Sequence, residues 1–109
     1  MAEPALVDVT ISGPSIDVLA RLTRKIVDER LAACGNIIPS IRSIYRWDGE
    51  VQDDAEALVI LHTRLDLVPA IIALADAEHP DDTPQVIAVP VADMHPGYRQ
   101  WVVDSTTAR

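Results

Sequence analysis

With 109 residues the chain has room for one compact domain, residues 1–109, around a single core. Hydrophobic residues make up 49% and phenylalanine is absent, so the core is aliphatic and a disordered chain is excluded. The formal charge of −8 at pH 7 repels phosphate backbones and leaves no basic stripe, which excludes nucleic acid as an expected partner while drawing cations toward the surface.

Leu6 to Ile11 alternate with period two and are rich in β-branched residues, which predicts a strand ended by Gly13-Pro14-Ser15. Ser15 is placed to cap a helix in which Ile16, Leu19, Leu22, Ile26 and Val27 recur at helical spacing, with Gly35 expected at its C-terminal end. Asn36 to Trp47 reads as a long strand, Asp48-Gly49 as a tight hairpin turn, and Glu50 to Arg64 as the returning strand. Asp66 is expected to cap a second helix carrying Leu67, Ile71, Leu74 and Ala75, which His79-Pro80 stops. Gln85 to Val91 is a short apolar run between prolines and predicts a buried strand, and a last helix starts near Pro96.

The order strand, helix, strand, strand, helix, strand, helix is that of an α+β, ferredoxin-like split β-α-β domain with an added C-terminal helix. One helical layer covers one face of an antiparallel sheet, and so short a chain has no further element for the other face. Strands longer than about 10 residues also project beyond a small sheet, with Tyr45 and Trp47 near the hairpin tip. Self-association is the expected solution.

Cys34 is the only cysteine, so no internal disulfide forms and a reducing, cytoplasmic location is expected. No apolar run reaches the roughly 18 residues of a membrane span, and no membrane partner is expected. The sequence also lacks the marks of an enzyme. Gly13-Pro14-Ser15-Ile16 is too poor in glycine for a phosphate loop, there is no Gly-x-Ser-x-Gly elbow, and no histidine adjoins Cys34.

Leu31-Ala32-Ala33-Cys34-Gly35-Asn36-Ile37-Ile38-Pro39, followed by Ser43-Ile44-Tyr45-Arg46-Trp47-Asp48-Gly49, closely resembles the signature of the CutA divalent-cation-tolerance family. Glu56, Thr63-Arg64, His79-Pro80, Pro84, Pro90, Tyr98 and Trp101 continue the match in order and spacing. The resemblance implies a homotrimer whose long hairpins pair across subunits, and a role in response to divalent metal ions, copper (Cu²⁺) above all. Similarity of architecture to PII-type signalling trimers implies an alternative, a sensor of a small ligand at subunit clefts through Arg42, Arg46 or Arg64. Two departures bear on any ligand site: Asp81-Asp82-Thr83 stands where the family commonly has Tyr-Glu-Val, and Gln85 where Glu is usual.

Copper favours thiolate and imidazole, and carboxylates suit harder ions. The candidate metal ligands are therefore His79, Cys34, Glu78 and Asp82. His79 sits where a second helix should end, among acidic neighbours, and a protonated ring there would also be favoured by the helix dipole alone. Met94-His95 is a second soft pair in a loop, and His62 is expected to be structural.

Overall fold

A computed structural model describes residues 3–107. Strands β1 (Leu6–Gly13), β2 (Cys34–Trp47), β3 (Glu50–Arg64) and β4 (Val86–Pro90) form one antiparallel sheet in the order β2-β3-β1-β4. Helices α1 (Ile16–Asp28), α2 (Val68–Glu78) and α3 (Pro96–Ser105) complete the ferredoxin-like split arrangement.

The period-two alternation sorts the strands into two faces. Val7, Val9 and Ile11 of β1 and Ala57, Val59 and Leu61 of β3 are buried against Leu19, Leu22 and Ile26 of α1 and Ile71 of α2. The opposite face carries Asp8 and Thr10 of β1, Leu58, Ile60 and His62 of β3, Asn36 and Ile38 of β2, and Ile87 and Val89 of β4, in register across the ladder. Helix α3 reaches only one end of that face, where Val102 packs with Leu6 and Ala33. Ile87 and Val89 remain 50% and 51% exposed, which is a large apolar area for one chain to leave in water.

Helix α1 begins as expected, with the Ser15 hydroxyl accepting from the Val18 amide at 3.2 Å. Its end differs from the expectation. Arg30, at φ 60°, takes the left-handed position assigned to glycine, and the Arg30 and Leu31 amides donate to the Val27 and Ile26 carbonyls in a Schellman turn. The Arg30 guanidinium then holds the Ser105 carbonyl at the end of α3, 3.2 Å away. Gly35 instead lies in β2, directly beneath α1, where a Cβ would overlap the Thr23 side chain. That glycine serves close approach rather than helix termination.

Asp66 caps nothing. It lies in a 3-10 turn, Leu65–Leu67, opposite the Arg64 guanidinium at 3.3 Å, and Leu67 precedes α2 without a side-chain cap. Pro69 sits in the first turn of α2, where its missing amide hydrogen is not needed.

Asp48 and Gly49, at φ 52° and 77°, make the hairpin turn with the positive angles that strand twist favours. A register shift between Ile38 and Ile41 interrupts the β2-β3 ladder, and the ribbon beyond it projects from the body, stretching the chain to 49 × 26 × 22 Å. Ile44, Tyr45, Trp47 and Val51 are exposed on this ribbon.

Candidate functional site

Between the projecting ribbon and the loop after α2 lies an open cleft of about 780 Å³. Tyr45, Trp47 and Glu56 form its ribbon side, and Asp81, Asp82, Thr83 and Gln85 its loop side. Three carboxylates thus line it, those of Glu56, Asp81 and Asp82. Arg42 is the one cationic side chain in the lining, and Asp53 engages it through two bonds of 2.7 and 2.6 Å. The cleft therefore presents a negative field to solvent.

Tyr45 reports that field. Its hydroxyl donates to the Asp54 carboxylate at 2.5 Å, and this bond, with burial and the charges of Asp54, Glu56 and Asp81, pushes its pKa up to about 12. The protonated phenol is the form the fold favours, so its contribution is present below the ordinary value near 10 and is lost as pH rises through about 12. In an absorbance titration at 295 nm, Asp54→Asn is expected to bring one phenol transition down toward 10. An unchanged titration would mean that Asp54 does not hold the proton.

The four residues singled out from the sequence do not share one site. His79 caps the end of α2 with its side chain wholly buried. Its Nδ1 accepts from the Asp81 amide at 3.0 Å, so Nε2 carries the hydrogen and donates to the Ser12 carbonyl at 2.7 Å. Both ring nitrogens are occupied, and a metal would reach Nδ1 only by displacing the Asp81 amide. Glu78 turns away from the cleft to Lys25 of α1, at 2.6 Å. Asp82 does line the cleft, beside Asp81, whose carboxylate lies 3.9 Å from His79 Nδ1.

Cys34 lies elsewhere. It pairs in register with His62, which pairs with Asp8, while Ser12, the residue that holds His79, is four positions farther along β1, or about 13 Å at 3.3 Å per residue. Around Cys34 a set of side chains is assembled that sequence reading did not find. His62 Nδ1 meets the Asp8 carboxylate at 2.6 Å, His62 Nε2 meets the Asn36 amide nitrogen at 2.9 Å, and the Cys34 thiol faces the Asn36 amide oxygen at 3.7 Å. Tyr98 of α3 stands edge-on to the His62 ring, centroids 5.9 Å apart. Burial first, and then the Cys34 sulfur, raise the Tyr98 hydroxyl above the ordinary phenol range. The available signal was that Asp8, Cys34 and His62 occupy polar positions of alternating strands. The register that unites them was not in the sequence.

The other soft pair has local work. His95 Nδ1 accepts from the Gly97 and Tyr98 amides at 3.0 and 3.4 Å, capping α3, and Met94 packs on the small cluster around Val102. Among the described residues no three His, Cys, Asp or Glu side chains are gathered tightly enough to hold an ion between them. Also among the described residues, no helix is long and apolar enough to cross a membrane.

Comparison with known proteins gives these features a family. The family model described as CutA1 divalent ion tolerance protein matches residues 7–105. A relative from Oryza sativa, described as Protein CutA 1, chloroplastic, is 42% identical over 103 residues, covering 94% of this chain and 58% of the relative. The Divalent-cation tolerance protein CutA of Thermus thermophilus is 39% identical over 98 residues, covering 90% of this chain and 95% of the relative. The chain thus spans little more than half the length of the plant relative and nearly all of the bacterial one. The crystal structure of CutA1 from Oryza sativa superposes with a TM-score of 0.92 at 39% identity, covering 97% of each chain. The chain belongs to the CutA1 divalent ion tolerance family.

Proposed function

We propose that this protein is a divalent-cation-tolerance protein that takes up Cu²⁺ and related ions in the acidic cleft and works as a homotrimer. The observation that carries the reading is the acidic lining of one cleft, with Glu56, Asp81 and Asp82 around its rim and its only lining cation neutralised by Asp53. Carboxylates and the Thr83 hydroxyl are oxygen donors, and for a given oxygen or nitrogen site Cu²⁺ binds tightest of the first-row divalent ions. Binding is weak to moderate, because the carboxylates are solvated and spread around an open rim rather than closed on one point.

The trimer is supported by the uncovered sheet face and by the ribbon, which has aromatic side chains and little body of its own to bury them. A second copy lying against the ribbon would also wall the cleft. The alternative of a PII-like sensor for an anionic ligand draws on the cleft volume, which is that of small-molecule sites. The carboxylate lining and the engagement of Arg42 by Asp53 weigh against an anion there.

Titration calorimetry on tag-free protein tests the cation reading. Glu56→Gln combined with Asp82→Asn is expected to lower Cu²⁺ affinity at least tenfold while leaving the assembly intact. Affinity equal to the parent's would overturn the cleft as the site.

A further inference from the structure

We infer, resting on the cation reading of the acidic cleft, that the same cleft takes a linear aliphatic polyamine, its ammonium groups held by carboxylates on both sides and its methylene chain lying on Tyr45 and Trp47. Spacing is the first reason. Among the described residues no three His, Cys, Asp or Glu side chains gather closely enough to enclose an ion, yet Glu56 stands on the ribbon side of the cleft and Asp81 and Asp82 on the loop side. A metal needs its donors within about 2.0–2.6 Å of one point, whereas ammonium groups strung on a flexible chain reach carboxylates that stand apart. The volume of about 780 Å³ is that of a small-molecule site and far exceeds a bare ion.

The aromatic wall is the second reason. Tyr45 and Trp47 are two positions apart on β2, so the pleat turns them to one face, and both line the cleft while 40% and 61% exposed. The bond from the Tyr45 hydroxyl to Asp54 fixes that ring in place before any ligand arrives. Aromatic faces attract ammonium groups and also cover the methylenes between them, a contact that a hydrated metal ion has no means to use.

Ser12 is the third. It follows Ile11, which faces the helices, so its side chain falls on the opposite face of the sheet, where the residue lines the cleft at only 6% exposure. Its carbonyl is taken by His79, but among the described residues its hydroxyl meets no hydrogen-bond partner. An enclosed hydroxyl left without a partner favours a ligand that supplies one, and an ammonium N–H does so. A quaternary ammonium has no N–H for Ser12 and a single charge for three carboxylates. The polyamine satisfies both.

Titration calorimetry with spermidine tests this on the full chain in its native assembly, at about 0.15 M salt so that diffuse charge attraction is screened. One spermidine per chain is expected, with putrescine and choline each weaker by about tenfold or more, since each forgoes at least one charge-assisted contact. Ser12→Ala is expected to weaken spermidine about tenfold through the lost hydrogen bond, and Trp47→Leu roughly fivefold through the lost aromatic face. Ser12→Ala removes one atom and Trp47 is exposed, so both variants are expected to fold, and sedimentation checks that each keeps the parent's assembly. Cu²⁺ affinity is expected to be unchanged in Trp47→Leu. Spermidine affinity undiminished in both variants would mean charge attraction alone and would overturn the inference. Absence of spermidine binding, with Cu²⁺ still lost in Glu56→Gln combined with Asp82→Asn, would overturn it and leave the metal reading standing. Spermidine weakened by that pair of substitutions while Cu²⁺ is indifferent to them would keep the polyamine and remove the metal.

Discussion

In the presence of a strong chelator, His79→Ala is expected to unfold with about 2–4 kcal/mol less stability than the parent. The ring is wholly enclosed, so its removal leaves a cavity that a close-packed core fills only in part. It also strands the Ser12 carbonyl and the Asp81 amide, and each buried polar group left without its partner costs about 1–3 kcal/mol unless water reaches it. Urea denaturation measures the difference. If the variant were as stable as the parent in chelator and weaker only when metal is present, the ring would be a ligand first and a structural post second. The chelator matters because any ion bound to the folded state alone adds its own stabilisation.

For the homotrimer proposed above, a pair of aspartates on β4, Ile87→Asp with Val89→Asp, is expected to reduce the sedimenting mass from three chains to one. Both side chains stand about half exposed on the open sheet face, beside Thr10 and Asp8 in register. Substituting them leaves the core against α1 untouched, since that core draws on the other face. In an assembly the new carboxylates would be buried without partners, a penalty of several kcal/mol each that a trimer interface does not withstand. Circular dichroism should show a folded subunit. Should the variant still sediment as three copies, the open face is not what joins them.

Much of the architecture was legible because it depends on local chemistry. Period-two alternation found β1, a short apolar run between prolines found β4, helical spacing found α1 and α2, and Asp48-Gly49 announced the long ribbon through the one turn that tolerates two positive φ angles. The misreadings were also local. Gly35 looked like a helix terminator because glycine usually fills that role, yet Arg30 accepts the left-handed angle and is held there by its bond to Ser105. Asp66 looked like a cap, but the chain makes a 3-10 turn first.

The candidate site was legible only in part, because its geometry is set by pairings between distant segments. His79 was found as a residue and its acidic neighbours with it. That its ring is locked to Ser12, 67 positions away, follows from how the end of α2 meets the end of β1, which no nearby residue encodes. Asp8 and His62 are 54 positions apart and meet only through the β1-β3 register. Glu56 entered as a position in the family match, and its place across the cleft from Asp82 depends on how the ribbon and the loop after α2 lie in the folded chain.

The ribbon of β2 and β3 has one more consequence, in the order of events during synthesis and folding. Its two strands are joined by a two-residue turn, so their pairing closes a short loop and zips on the microsecond scale, whereas β4 must come back to β1 across most of the sequence. The element with the most bare backbone along its margin is thus born first, before the rest of the sheet can shelter it. Asp48, Glu50 and Asp54 stand toward its free end, and their mutual repulsion between newly made copies guards that margin against indiscriminate strand-to-strand stacking until correct neighbours arrive.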